Sequence, residues 1–262
     1  PVTWREIRRL SRGPLRLAPL PAYGLAALAF ANVAAEWTFG GGGYEAGTLS
    51  RFVYILWAVV ALQSILVGAS LLRSERAEQS LEVLLSTPLR GRDIVLQKMA
   101  GVYRLLSFFL LPYGFVLANE MLLEWKGNGP WIGFAAFLMS FLALPIHAGL
   151  LLWFSAWAGI RLRPASRAIP AVFAVACIWL GLPWIVAGLT GANRFPWDEW
   201  TFQNPFLFLQ RVEELPRTLS TTGPWAFGHL CLHVFLLAMF RELCLRAADR
   251  RLALTSPKES AA

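Results

Sequence analysis

The chain has 262 residues, of which 56% are hydrophobic and only 15% are charged, and its net charge is +8. A soluble domain of this length carries about a quarter charged residues, so the composition excludes an ordinary soluble domain. Apolar runs of about 20 residues predict membrane-spanning helices. The basic residues are spread over alternate loops and do not form one stripe, which argues against a nucleic-acid partner. We therefore predict an all-α, polytopic membrane protein.

Residues 1–16 are rich in arginine and come before the first apolar run. Trp4, Ile7 and Leu10 fall on one face of a helix, and arginines surround them. This pattern predicts an amphipathic helix lying at the membrane surface. The alternative is a charged tail that only sets the orientation of the chain.

Six apolar segments have the length of membrane spans and together define a transmembrane domain over 17–245. We place them at about 17–35, 52–72, 102–123, 131–160, 168–189 and 225–245. Span four is long enough to tilt or to be kinked at Pro145. The polar segment 190–224 contains a short helical pattern around 204–215. We expect that short helix to lie on the outer surface, with a re-entrant hairpin as the alternative.

The distribution of basic residues predicts the orientation of these spans. With a cytoplasmic N-terminus, nineteen of the 24 Lys and Arg residues lie in the inner segments. The five outer ones are Arg51, Lys126, Arg194, Arg211 and Arg217. Because Lys and Arg concentrate in cytoplasmic loops, we expect both termini to be cytoplasmic. The tail 246–262 and the loop 73–101 are then also cytoplasmic, and 190–224 is extracytoplasmic.

The longest charged interval between two apolar runs is 73–104. Within it, Ala77, Leu81 and Leu84 recur at helical spacing and form an apolar stripe. Thr87-Pro88 ends this helix, because proline disfavours helical backbone at the residue before it. A second helical segment starts at Gly91. A helix, a break and a second helix at the membrane surface suit docking to a soluble partner better than chemistry.

This interval resembles the loop between spans two and three of type 2 ABC transporter permeases. Members of that family typically read Gly-Thr-Leu-Glu-Leu-Leu-Leu-Thr-Thr-Pro, followed by a basic segment and Ile-Val-Leu-Gly-Lys. The matching positions are Glu75, Leu81, Glu82, Leu84, Leu85, Thr87, Pro88, Leu89, Ile94, Val95, Leu96 and Lys98. The chain departs from the pattern at Gln79, Ser80 and Gln97, which are mild changes.

The resemblance implies the permease subunit of an exporter in the cytoplasmic (inner) membrane. Two such permeases, identical or different, would pair with two cytoplasmic ATPase subunits that bind ATP and Mg. The docking segment for the ATPase would comprise Thr87, Pro88, Leu89, Arg90, Gly91, Arg92 and Asp93. The interfacial helix beside it would include Glu75, Glu78, Leu81, Glu82, Leu84 and Leu85.

Two kinds of motif are absent from the sequence. A phosphate-binding P-loop ends in Gly-Lys followed by Ser or Thr. The three lysines here, Lys98, Lys126 and Lys258, are followed by Met, Gly and Glu, so we expect ATP hydrolysis in a partner subunit. The three cysteines also lack CxxC or other metal spacing, and we expect them to be packing residues.

The histidines allow two interpretations. His229 and His233 are four residues apart in span six, so they share a helical face that can ligate a metal or haem. The alternative is hydrogen bonding between helices, and the spacing indicates no third ligand. His147 follows Pro145 in span four, where we expect a packing role rather than contact with a substrate.

Two rival functions follow from these features. One is a membrane-embedded enzyme, or a haem- or metal-binding protein, that uses His147, His229 and His233. It predicts a bound cofactor, or activity without ATP. The other is a membrane anchor that recruits a cytoplasmic partner without transport, and it predicts partner binding that is indifferent to nucleotide.

Overall fold

The computed structural model describes residue 24 and residues 47–71, 91–118, 130–162, 165–190 and 205–253. Every regular element in these ranges is an α-helix, as predicted. The five longer ranges contain six helices. In chain order these are α1 (Gly47–Ser70), α2 (Gly91–Ser107), α3 (Leu110–Ala118), α4 (Pro130–Arg161), α5 (Ala165–Thr190) and α6 (Pro205–Ala253).

Several predicted features lie outside the described residues. These are the amphipathic segment 1–16, the interfacial helix at 75–85, the docking residues 87–90 and the end of the tail at 254–262. Of the first predicted span, 17–35, only Gly24 is described, and it is helical.

Within the described ranges, two helices are long and apolar enough to cross a membrane, over Val53–Ser70 and Phe137–Arg161. They correspond to predicted spans two and four. The pair α2–α3 counts as a third candidate if the two helices form one bent span. A shorter apolar stretch, Arg167–Gly181, lies within predicted span five. The full set of six spans stays a prediction.

The chain bends in the region predicted as the third span. Helices α2 and α3 meet at an angle of 41° across residues 108–109. Pro112 explains the bend, because it has no N–H for the carbonyl of Phe108 and its ring pushes against that carbonyl. At the break, the Phe109 N–H donates instead to Leu106 O, three residues back, at 3.0 Å. The sequence contained this signal, but the span was predicted without a break.

Helix α4 lies at the centre of the described fold, packed against α1, α5 and α6. Helix α6 also contacts α2, and α1 contacts α5. Helix α4 continues through Pro145, so the proline does not interrupt it. The shared core is apolar and includes the fully buried side chains of Trp57, Leu144 and Leu152.

The outer faces of the helices are also apolar. Leu111, Phe227 and Phe235 expose 73%, 63% and 66% of their surface, respectively. Exposed apolar side chains of this size suit contact with lipid, because the exposure of so much apolar surface to water is unfavourable. Several polar side chains are buried between the helices, away from this apolar surface, as expected of helices in a bilayer. Among the described residues they include Ser64, Lys98, Ser140, His147, Ser155, His229 and His233.

Helix α6 is a single element of 49 residues. At 1.5 Å per residue it is about 74 Å long, more than twice the thickness of a bilayer core of about 30 Å. The helix therefore extends well beyond the apolar part of any membrane it crosses. The predicted short helix around 204–215 and the predicted sixth span, 225–245, belong to this one helix, a continuity that was not predicted.

Candidate functional site

Helix α2 begins with the last three residues of the predicted docking segment: Gly91, Arg92 and Asp93. Gly91 is buried and Arg92 is exposed. Asp93 lies in the first turn and Arg104 in the last, so both charges interact favourably with the helix dipole. Residues Gly91, Arg92 and Asp93 are thus helical, while Thr87, Pro88, Leu89 and Arg90 lie outside the described residues, and the docking role of the segment stays a prediction.

The first turn of α2 is bound to the far end of α6. The backbone N–H of Arg92 donates a hydrogen bond to Asp249 Oδ1 at 2.8 Å. The first four N–H groups of any helix lack partners within that helix, and a carboxylate is a favourable acceptor there. Asp249 therefore fixes the start of α2 against α6.

The next turn of α2 is bound to the end of α1. The Nζ of Lys98 donates to the carbonyl of Leu71 at 3.1 Å, and the Lys98 side chain is fully buried. Leu71 follows the last residue of α1, where carbonyls lack partners within the helix and a cation is favoured. Lys98 therefore links α2 to the carboxyl end of α1.

Together, Leu71, Arg92, Lys98 and Asp249 form what we call the three-helix junction, where the end of α1, the start of α2 and the end of α6 meet. One bond joins the first turn of α2 to the end of α6, and the other joins the second turn of α2 to the end of α1, so a movement of α2 would displace both. The junction offers a mechanical connection between helices. Its groups form no arrangement of nucleophile and base.

A second group of polar residues lies between α4 and α6. His147 of α4 places its Nε2 at 3.0 Å from Nε2 of His229 of α6. His233, one turn further along α6, bonds through its Nδ1 to the carbonyl of His229 at 2.8 Å. One ring nitrogen from each of the three histidines lies within 4.8 Å of the others. The structure brings together all three histidines that the sequence analysis considered.

Two tryptophans enclose this histidine cluster (His147, His229 and His233). Trp57 of α1 meets the His147 ring edge-on, with centroids 6.2 Å apart. Trp179 of α5 stacks on His233 with centroids 5.5 Å apart. The cluster therefore lies where four helices meet, and all three histidines are at least 96% buried. Such an arrangement suits a hydrogen-bonded network or a metal ion.

Sequence reasoning assigned no role to several of these residues. Lys98 was only a position in the family pattern, and Asp249 lay in a segment predicted as a tail. A lysine next to an apolar run is a recognisable signal, because a charge there needs a partner. For Asp249 no such signal exists, since its partner is a backbone N–H far away in the chain.

The apolar outer faces, the buried polar groups and the helices of membrane-spanning length define a helical membrane protein. Its sequence matches the family model described as ABC-2 family transporter protein over residues 21–212. Because the match covers more than half of the chain, the protein belongs to this family, and the resemblance noted above is confirmed. The family supports a membrane subunit for transport and not an enzyme. No curated protein sequence matches the chain significantly.

Proposed function

We propose that this chain is the permease subunit of an ATP-driven exporter and lacks an ATPase of its own. A separate cytoplasmic ATPase, with ATP and Mg, would supply the energy. It would dock on residues 87–93, at the start of α2. Membership of the ABC-2 family supports this assignment. The single observation that carries the proposal is this family match over residues 21–212, a range that includes the docking segment 87–93.

The proposal includes a topology of six spans with both termini in the cytoplasm of an inner-membrane protein. Two permease copies, identical or different, would pair. The bias of nineteen basic residues towards the inner segments supports the orientation. The length of α6 supports a helix that reaches beyond the membrane at one end or both.

Transmission of the ATPase movement would run through the three-helix junction. A displacement of the first turn of α2 moves Asp249 through its bond to Arg92. It also moves the end of α1 through Lys98. Helices α1 and α6 both pack on α4, so the displacement reaches the centre of the fold. An ATP-bound partner drives this change only if it binds one arrangement more tightly than the other.

The test is a charge reversal in the docking segment. The chain is co-expressed with the ATPase that is encoded beside it or co-purifies with it, and complex yield and ATP turnover are measured. We expect Pro88→Ala combined with Arg92→Glu to lose the ATPase or to uncouple its turnover from the permease. Arg167→Glu is the matched control, because Arg167 is also exposed and lies in another predicted cytoplasmic loop.

Unchanged yield and turnover in the docking variant would refute the docking position, and equal losses in the Arg167 control would show a general charge effect. The membrane-anchor alternative makes a different prediction. It requires the same amount of bound partner with and without ATP and no substrate movement in vesicles. Binding that changes with nucleotide supports the transporter.

A further inference from the structure

The chain contains only three histidines, and all three belong to the histidine cluster. They come from two helices: His147 from α4, and His229 and His233 from successive turns of α6. Their exposed fractions are 0%, 4% and 1%. Polar groups are costly inside a membrane domain, so the gathering of every imidazole at one buried point calls for a physical reason.

We propose that His147, His229 and His233 bind one late first-row transition-metal ion, with Cu⁺ favoured over Zn²⁺. This site goes beyond the proposed transport function and does not depend on it. Neither the family nor the docking segment assigns a role to these residues.

The distances between the rings fit a shared ion. A metal bound to imidazole nitrogens at about 2.0–2.1 Å in tetrahedral geometry keeps neighbouring nitrogens about 3.3 Å apart. The two Nε2 atoms of His147 and His229 are 3.0 Å apart. One ring nitrogen of His233 lies within 4.8 Å of a ring nitrogen of each of the other two histidines, so all three imidazoles surround one small volume.

The hydrogen bond of His233 prepares its ring for a metal. In a neutral imidazole one nitrogen carries the proton and the other carries the lone pair. His233 Nδ1 donates to the carbonyl of His229, so the lone pair lies on Nε2. Metal-binding histidines in proteins usually make such a bond through the nitrogen that does not bind the ion, because it fixes tautomer and orientation.

The ligand set and its surroundings select the ion. Imidazole ligands suit copper, zinc and nickel, and calcium and magnesium require oxygen ligands. Three neutral imidazoles carry no charge to offset that of the ion, and Trp57 and Trp179 pack against two of them. The desolvation penalty grows steeply with charge, so a monovalent ion is disfavoured far less than a divalent one. This argument favours Cu⁺.

A bound ion would join α4 to α6 near the middle of the fold. It would hold Trp57 and Trp179 in place through their contacts with His147 and His233. Because α6 also carries Asp249 of the three-helix junction, the ion would stabilise the helix that the proposed coupling movement displaces.

The test measures metal bound to the full chain in lipid nanodiscs. The chain carries an affinity tag without histidine, because the three native histidines are then its only imidazoles. Samples are loaded with Cu⁺ under anaerobic reducing conditions or with Zn²⁺ alone, desalted against a weak chelator, and analysed by mass spectrometry for metal per chain. We expect about one Cu⁺ per chain, less Zn²⁺, and an X-ray absorption spectrum with imidazole nitrogen ligands and no sulfur.

The variants are His147→Gln and His229→Gln, which keep a polar side chain of similar size. Each should weaken Cu⁺ binding by about tenfold or more, since even ligand-supporting residues matter on that scale. The control replaces Cys177, Cys231 and Cys244 by alanine and should keep the metal. Tryptophan fluorescence and size-exclusion profiles verify that each variant is folded.

Three results would overturn the proposal. One is a folded wild-type chain that retains neither ion. Another is metal that survives both histidine variants or disappears from the cysteine-free control. Stoichiometric Zn²⁺ with no Cu⁺ would overturn the choice of ion, because it contradicts the charge argument.

Discussion

The crossing of α1 and α4 gives the sharpest prediction about stability. A Cβ placed on Gly159 would lie 2.5 Å from the carbonyl oxygen of Ala69 and 3.2 Å from its Cα. On the other side of the same crossing, a Cβ on Gly68 would lie 2.7 Å from the carbonyl oxygen of Leu152 and 2.8 Å from Ser155 Cβ. The two backbones therefore touch at both glycines. Small residues at helix crossings in membranes allow this kind of close packing.

The cost of Gly159→Ala follows from these distances. An ordinary contact between carbon and a carbonyl oxygen is about 3.3–3.6 Å, so the new methyl group forces α1 and α4 apart by about 1 Å. The obstacle is backbone, which cannot rotate away as a side chain does. A gap of 0.5–1 Å forfeits about a quarter to a half of each dispersion contact along the crossing. We therefore expect Gly159→Ala to lower the free energy of unfolding by about 1–3 kcal/mol, the range found for overpacked cores.

Gly228→Ala is the matched control. Gly228 lies in α6, is exposed, and has no atom within 4 Å of the position of an added Cβ. Alanine stabilises a helix by up to about 1 kcal/mol relative to glycine, so the stability of this variant should be unchanged or higher. The assay is thermal unfolding of the purified protein in one detergent, followed by tryptophan fluorescence.

Opposite signs for the two glycine variants would support the close crossing. If Gly159→Ala melts at or above the wild-type temperature, the contact distances given for α1 and α4 are wrong. If both variants lose the same stability, the loss belongs to glycine replacement in general and not to this crossing.

The three-helix junction gives two further predictions. Lys98→Met keeps the side-chain volume but removes the donor to Leu71 O, so the free energy of unfolding should fall by about 1–3 kcal/mol. An unchanged melting temperature in the same assay would contradict this role of Lys98. Asp249→Ala removes the carboxylate at the start of α2 and should cost about 0.3–1 kcal/mol at low salt. The Asp249 effect should shrink in about 1 M salt, because charges that water reaches are then screened. A loss that persists there would show that charge is not the cause.

The sequence predicted the longest apolar helices well and the breaks less well. Predicted span four, 131–160, agrees with α4 at Pro130–Arg161, and span five, 168–189, lies within α5 at Ala165–Thr190. Long apolar runs allow few structures other than a helix, because backbone N–H and C=O groups in lipid must form hydrogen bonds with one another. Proline was harder to interpret: α4 continues through Pro145, and the break before α3 follows from Pro112. Neighbouring contacts decide between these outcomes, and they are not visible in a single sequence.

Helix α6 shows a second limit. The polar residues before 225 predict that this segment lies outside the membrane. It does not predict that the helix ends there. A polar sequence can continue a helix into water as long as each backbone group keeps its bond. The separation of a surface helix from span six thus assumed a boundary that hydropathy alone does not define.

The histidine cluster shows how much a membrane sequence can still constrain its fold. His229 and His233 share a face by spacing alone, but a helix that is apolar all round does not reveal which face turns inward. Polar residues provide that information, because lipid excludes them. Applied to His147 as well, this rule turns all three histidines towards a common interior. That interior lies where α4 contacts α1, α5 and α6. The inward orientation of the three histidines therefore follows from burial, whereas the 3.0 Å approach of His147 Nε2 to His229 Nε2 does not.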